Sequence, residues 1–405
     1  LVKAGGHELH ITNVAETEPK SIGPPPNGAP LNGAPLNGAP PKRMRSLAGD
    51  DESEAHSRPR PRVAIIRQGC LLPGRVTTPA SLHSAIMEGR QGIIDQREID
   101  PDWEHDFYAA ELAPDSSTSA LAGRVDDEDI QPPPGIDAQR FAGFSRAQQL
   151  LCCALAPCAD VLRDSGRLLC LLGTTADGFR DQDQMAALRQ AGVDVADPQI
   201  AARLGTTPAA GLGPFQAVQV VLDAMIGPEV KLRLIDAACA SSLYAVALGM
   251  YALESFEADV VLAGGLFCPG PGNNCLFSQF GGLTATGCRP FDAGADGVAF
   301  AEGAAMVVLQ RLDEAREAGH EVVSVVRGAG LSSDGRSPSA NVPQSAGQAF
   351  ALQRCYDAYR IPPNSVAGIE GHGTSTPVGD ATEIRTLDSF FSGQTASPLP
   401  LHSLK

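Results

Sequence analysis

Leu232 to Met250 reads LRLIDAACASSLYAVALGM. Leu232, Leu234 and Ile235 are branched and apolar, which predicts a short strand. Asp236, Ala237 and Ala238 predict a turn. From about Ala240 to Met250 the residues are small or apolar, which predicts a helix. Cys239 falls in the turn. A sulfur at a helix N-terminus faces unpaired N–H groups and the positive end of the macrodipole, and both favour a thiolate. The small neighbours Ala237, Ala238, Ala240, Ser241 and Ser242 leave room for a second molecule to approach. Cys239 is therefore a candidate nucleophile. Most cysteines are buried core residues, so position alone does not decide its role.

Outward from this unit the chain alternates between strand and helix patterns. Apolar runs predict strands over Val63 to Ile66, Leu168 to Gly173, Asp259 to Gly265, Ala304 to Leu309, Glu321 to Leu331 and Val366 to Ile369. Helices are expected over Ser81 to Gly89, Phe141 to Gly166, Pro214 to Ile226 and Ser345 to Tyr359. From about Arg90 to Pro134 the pattern is weak and predicts surface loops with short helices. Such alternation predicts an α/β fold whose parallel or mixed sheet is covered on both faces. Residues 1–61 read differently. Asn27 to Pro41 repeats as NGAPLNGAPLNGAPP after three prolines, which predicts an extended, solvated linker, with another domain expected before it.

Composition excludes several classes of function. The 405 residues carry 31 Lys and Arg against 47 Asp and Glu, a formal charge of -16. That argues against a nucleic-acid-binding surface. No apolar run is long enough to span a bilayer. The ten cysteines show no repeating spacing and follow no secretory signal, so a reducing cytoplasm is expected rather than a disulfide framework. Cys152, Cys153 and Cys158 fit no tetrahedral zinc spacing, and no metal site is expected.

The strand ending at Ile369 leads into EGHGTSTPVGDATEI. His372 is flanked by Gly371 and Gly373, which permit close approach of a ligand to the backbone. Thr374, Ser375 and Thr376 offer three hydroxyls to an amide-bearing chain. Glu383 then enters a helix. A lone histidine at a strand end is more often structural. Together with a cysteine at a strand-to-helix turn it forms a Cys/His constellation.

Three segments in order resemble the signatures of β-ketoacyl synthases: DAACASS around Cys239, CRPFDAGADGVAFAEGAA from Cys288 to Ala305, and EGHGTSTPVGD from Glu370 to Asp380. The resemblance runs from about Arg62 to Lys405. It implies a thiolase-like fold of two similar α/β halves in five layers. The first half is expected over 62–312 and the second over 313–405, incomplete at its C-terminus. It implies that Cys239 accepts an acyl group from a thioester on the phosphopantetheine arm of an acyl carrier protein, no cofactor being bound directly. Decarboxylative condensation with a malonyl-type thioester then follows. His372 would polarise the malonyl thioester carbonyl, Thr374 and Thr376 would hold the pantetheine amides, and Lys405 would be the active-site lysine with Glu383 as its acidic partner. A homodimer and a place in a multidomain polyketide or fatty acid synthase are implied as well.

The family's second histidine and its glycine-rich gating loop would follow Lys405, so this chain alone is expected to be incomplete as a catalyst. Arg67 and Gln68, and Ala301 and Ala305, replace residues that are small or apolar, or glycine, in the family, which suggests a divergent branch. Three other readings compete. A chain-initiating condensing enzyme or thiolase shares the fold, but the run from His372 to Asp380 argues for the elongating, two-histidine type. A papain-like hydrolase also pairs Cys with His, but neither the spacing nor the hydroxyl-rich loop suits it. A non-catalytic structural partner would share the fold but lack the nucleophile, whereas Cys239 and His372 both stand here.

Overall fold

The computed structural model describes residues 60–99, 107–163, 165–180, 190, 192–193, 213–335 and 342–404. The expected linker lies outside these residues except for Arg60 and Pro61. In chain order the elements begin with β1 (Val63–Leu71), α1 (Pro79–Glu88), β2 (Ile93–Asp95), β3 (Leu121–Gly123), α2 (Ala138–Ala142), α3 (Arg146–Leu155) and α4 (Ala159–Arg163). There follow β4 (Leu168–Gly173), α5 (Pro214–Met225), β5 (Lys231–Ile235), α6 (Ser241–Glu254), β6 (Val260–Phe267) and α7 (Pro271–Gln279). Next come β7 (Phe300–Ala301), β8 (Gly303–Arg311), α8 (Leu312–Glu317), β9 (Ser324–Val326), α9 (Ser345–Tyr359), β10 (Ile369–Glu370), α10 (Pro377–Phe391) and β11 (Leu401–His402).

Six strands form the main sheet in the order β5-β4-β6-β8-β1-β9. β5, β4 and β6 are parallel, and β8, β1 and β9 follow, each antiparallel to the strand before it. The sheet is thus mixed. β9 lies beyond residue 313 yet joins this sheet through β1. β4, LLCLLG, is buried at every position. Its alternate residues divide between two cores. Leu168, Cys170 and Leu172 pack with α3 and α5, while Leu169 and Leu171 pack with Ala245, Met250 and Leu253 of α6. An uninterrupted apolar strand is the mark of a strand covered on both faces. α6 comes close to the sheet because it carries Gly249, where a Cβ would lie 2.8 Å from Val261 Cγ1.

Several elements differ from the expectation. The helix expected over Phe141 to Gly166 is three short helices, parted at Gly143 and by a 3-10 turn that contains Pro157. Of the strand expected over Glu321 to Leu331, only Ser324–Val326 is paired. The strand expected over Val366 to Ile369 is instead Ile369–Glu370, held in parallel register by β11. α7 was not expected, because its sequence PGNNCLFSQ is poor in helix formers. The weak segment from Arg90 to Pro134 contributes β2 and β3 to a small sheet completed by β7.

Candidate active site

Cys239 sits on a 3-10 turn, Ala238–Ala240, between β5 and α6. It is the only exposed cysteine of the ten, and none of the ten is in a disulfide. Burial pushes Cys152, Cys158 and Cys170 up to about 12 and Cys153 up to about 11. These four are therefore protonated core thiols. The turn before Cys239 is strained. Ala238 has φ +50, a left-handed conformation that costs an L-residue roughly 1–2 kcal/mol. Local hydrogen bonds hold it there. Ala238 N–H donates to Asp236 Oδ1 at 3.1 Å, Ala237 N–H donates to Ser241 Oγ at 2.9 Å, and Ser241 Oγ donates to Ala238 O at 2.6 Å.

The start of α6 is seated on two strand-end glycines. A Cβ at Gly173 would lie 2.4 Å from Ser241 C, and one at Gly265 would lie 2.9 Å from Ser242 Cβ. Glycine in a strand marks such a close approach. The thiol is thus presented at the carboxyl end of the parallel strands, where open α/β sheets bind ligands.

His372 follows β10 and is exposed. Its N–H donates to Glu383 Oε1 at 2.6 Å, and Gly373 N–H donates to Glu383 Oε2 at 2.8 Å. The Glu383 carboxylate, carried on α10, therefore clamps the backbone of the histidine loop. Lys405, its expected partner, lies outside the described residues. Ser403 Oγ reaches Gly373 O at 3.1 Å, and Leu404 N–H donates to Glu370 Oε1 at 2.8 Å, so the chain after β11 runs beside the same loop. His402 is turned to another task, with Nδ1 2.6 Å from Glu370 Oε2.

The Thr374 and Thr376 hydroxyls are half-buried and lie 2.9 Å apart. Ser375, between them, is fully buried with φ +64. Its Oγ accepts from Arg289 N–H at 2.8 Å, and its carbonyl accepts from Gly297 N–H at 2.8 Å. Asp380 Oδ2 accepts from Phe291 N–H at 2.7 Å. The Phe291 ring fills the space beside both glycines that flank His372: a Cβ at Gly371 or Gly373 would come within 2.6 or 2.8 Å of it. The segment from Arg289 to Gly297 and the histidine loop are thereby joined as one unit. Its carboxylate Asp296 is held below the usual range. Burial alone would raise it, but Thr284 and Thr286 donate to it at 2.6 and 3.0 Å and outweigh that effect.

Sequence reasoning singled out the cysteine, the histidine and the two threonines as candidates. It missed the roles of Gly173, Gly265, Phe291, Ser375 and Asp380. Glycine at the very end of two apolar strands was the available signal for the first pair. The structure brings His372, Thr374, Thr376 and Glu383 into one loop and helix. Cys239 is held by a separate frame, and no hydrogen bond joins it to His372 among the described residues. Catalytic hydrogen bonds are often open before substrate binds. Also among the described residues, no group of His, Cys, Asp and Glu is placed to hold a metal ion, and no helix is long and apolar enough to cross a membrane.

The chain is similar to known proteins over most of its length. Residues 60–315 match the family model for the β-ketoacyl synthase N-terminal domain, and residues 323–405 match that for its C-terminal domain. A phenolphthiocerol/phthiocerol polyketide synthase protein of Mycobacterium tuberculosis is 33% identical over 354 residues, 83% of this chain and 15% of that protein. The 6-methylsalicylic acid synthase of Penicillium terrestre is 31% identical over 348 residues, 81% of this chain and 18% of that protein. The chain thus spans less than a fifth of the length of either relative. Among solved structures, the ketosynthase from module 6 of the bacillaene synthase of Bacillus subtilis 168 is similar with a TM-score of 0.68 at 21% identity, over 85% of this chain and 57% of that one. The ishigamide ketosynthase/chain length factor is similar with a TM-score of 0.69 at 23% identity, over 86% of this chain and 81% of that one. The fold shared with them is the thiolase-like α/β fold. With its exposed thiol at a strained strand-to-helix turn, its clamped histidine loop and both family domains matched in order, the chain belongs to the β-ketoacyl synthase family.

Proposed function

We propose that this chain is the ketosynthase unit of a polyketide synthase, working on thioesters carried by the phosphopantetheine arm of an acyl carrier protein. The observation that carries this is the single exposed cysteine, held at the N-terminus of α6 within a chain of this family. The Cys239 thiolate attacks the carbonyl of an acyl thioester. The tetrahedral intermediate expels the carrier's thiolate, which takes up the proton the cysteine gave up, and an acyl-enzyme remains. A malonyl-type thioester then loses CO₂. Its enolate carbon attacks the acyl-enzyme carbonyl, and Cys239 leaves as thiolate. Cys239 N–H is assigned as one donor to the oxyanion of each acyl transfer.

His372 is assigned to donate to the malonyl thioester carbonyl as negative charge builds there. Two glycine neighbours and the Glu383 clamp on its backbone hold its loop in place. Thr374 and Thr376 are assigned to the pantetheine amides, and Lys405 to the active-site charge beside Glu383. Pairing as a homodimer fits β5, which ends the main sheet as an edge strand. Ten cysteines without a disulfide suit the cytoplasm.

Intact-mass spectrometry of the full-length protein with short acyl-pantetheine thioesters tests this reading. A stable adduct lost in Cys239→Ala is expected. His372→Ala should keep the adduct and lose malonyl decarboxylation by about 10²- to 10³-fold, the usual cost of one oxyanion donor. A folded protein that forms no adduct would overturn the reading and leave a non-catalytic look-alike.

A further inference from the structure

Beyond the turn that carries Cys239, the same edge of the sheet holds buried polar atoms with nothing to bond. β5, β4 and β6 are parallel, so their carboxyl ends share that edge. Cys239 follows β5. Thr174 and Thr175 follow β4, and Thr174 N–H donates to Ile235 O, at the end of β5, at 3.0 Å. The loop turns with Gly178 N–H donating to Thr175 O at 3.0 Å. It then pairs with the residue after β6, where Cys268 N–H donates to Gly178 O at 3.0 Å. α7 starts immediately beyond, at Pro271.

Asn273 and Asn274 of α7 are 4% and 3% exposed. Asn273 Nδ2 donates to Asp177 Oδ2 at 2.6 Å, which fixes the orientation of that amide. Asn273 Oδ1, Asn274 Nδ2 and Thr175 Oγ1 are buried without a hydrogen-bond partner among the described residues. They comprise one acceptor, one donor and one hydroxyl that serves as either. Groups of this kind are few in a folded protein, and each calls for an explanation. Here three of them occur on two neighbouring segments at the edge that presents the nucleophile. Phe267, the last residue of β6, lies beside them: a Cβ at Gly178 would come within 3.0 Å of its ring.

We propose that Thr175, Asn273 and Asn274 bind an oxygen substituent on the acyl chain carried by Cys239. The site then prefers hydroxy- or oxo-acyl thioesters to saturated chains of equal length. This rests on the acyl-transfer reading above. A hydroxyl donates to Asn273 Oδ1 and accepts from Asn274 Nδ2, and a ketone accepts from Asn274 Nδ2 and Thr175 Oγ1. A saturated chain beside Phe267 leaves all three groups unpaired. A site built to hydrogen-bond an oxygen rejects the analogue that lacks it far more strongly than an apolar pocket rejects a methylene.

The test compares Cys239 acylation in the full-length protein by the N-acetylcysteamine thioesters of 3-hydroxybutyrate and butyrate, followed by intact mass. The wild type is expected to take the hydroxylated chain about 10-fold faster or more. Thr175→Val and Asn274→Leu should each bring the ratio toward one, and Thr175→Ser, which keeps the hydroxyl, should preserve it. Equal rates in the wild type, or faster butyrylation, would overturn the inference and leave acyl transfer standing. Acylation by neither thioester would overturn both readings.

Discussion

Alanine at position 173 would test whether the seat of α6 on the sheet is what positions the thiol. β4 ends at Gly173. A Cβ built there lies 2.4 Å from Ser241 C, 2.5 Å from Ser242 N and 2.6 Å from Ser241 O. All three are backbone atoms, so no side-chain rotamer relieves the clash. The strand end or the first turn of α6 must retreat by about 1 Å, the difference between 2.4 Å and an ordinary 3.4 Å contact. The strand is the stiffer side, because Gly173 is paired with Ile235 on one flank and Gly265 on the other. The turn is the softer side, because Ala238 already sits at φ +50. The retreat therefore falls on the residues around Cys239. Overpacking of this kind costs about 1–3 kcal/mol, a loss of several degrees in Tm. A misplacement of about 1 Å at a reacting atom costs on the order of 10²-fold in rate. Thermal melts and the rate of Cys239 acylation, read by intact mass, measure the two effects separately. Gly265→Ala, whose nearest contact is the Ser242 Cβ at 2.9 Å, should give a milder version of both. A Gly173→Ala protein that melts and acylates like the wild type would refute the argument.

Two further substitutions probe the frame. Ser375→Ala removes the acceptor of Arg289 N–H and should cost about 1–3 kcal/mol, the penalty of an unpaired buried donor, measurable by urea unfolding. Glu302 is 5% exposed and accepts from the Arg146 guanidinium at 2.6 Å and from Val125 N–H at 3.0 Å. Burial would raise its carboxyl, but the Arg146 hydrogen bonds and charge outweigh this and hold it below the usual range. A depressed folded pKa means the stability is fully present above the unfolded value of about 4.3. It is lost as pH falls through the folded value. Glu302→Gln should therefore destabilise the protein by about 3–5 kcal/mol at neutral pH and flatten the acid limb of a pH series of urea melts.

Local pattern reported the fold where burial alone decides it. The run Leu168 to Gly173 is a strand in any setting that covers both faces, and it is buried throughout. Where partners decide, pattern was not enough. Glu321 to Leu331 is apolar over much of its length, yet only the three residues opposite Val63 to Ile65 are paired. α7 contains Gly272, Asn273 and Asn274, all weak helix formers, and it forms with Pro271 at its first position and Asn273, Asn274 and Ser278 buried. Its helicity is a tertiary effect, and no local signal carries it.

The candidate site divides in the same way. Residues proposed to meet substrate carry unusual chemistry in an unusual setting, such as a cysteine among alanines or a histidine between glycines, and they can be picked out singly. Residues that hold those in place act through backbone groups of a distant segment, and nothing in their own neighbourhood reports the partner. The triplet Thr374, Ser375, Thr376 shows the difference within three positions. All three offer the same hydroxyl chemistry to a reader of the sequence. In the fold, Ser375 gives its hydroxyl to Arg289 N–H and its carbonyl to Gly297 N–H, at a backbone angle of φ +64. It is thereby occupied by the frame. Thr374 and Thr376 are left with each other's hydroxyls at 2.9 Å, a bond that an incoming amide can replace without leaving a buried group unpaired. The residue that looks most like its neighbours is thus the one that holds the loop, and it leaves their two hydroxyls outside the frame.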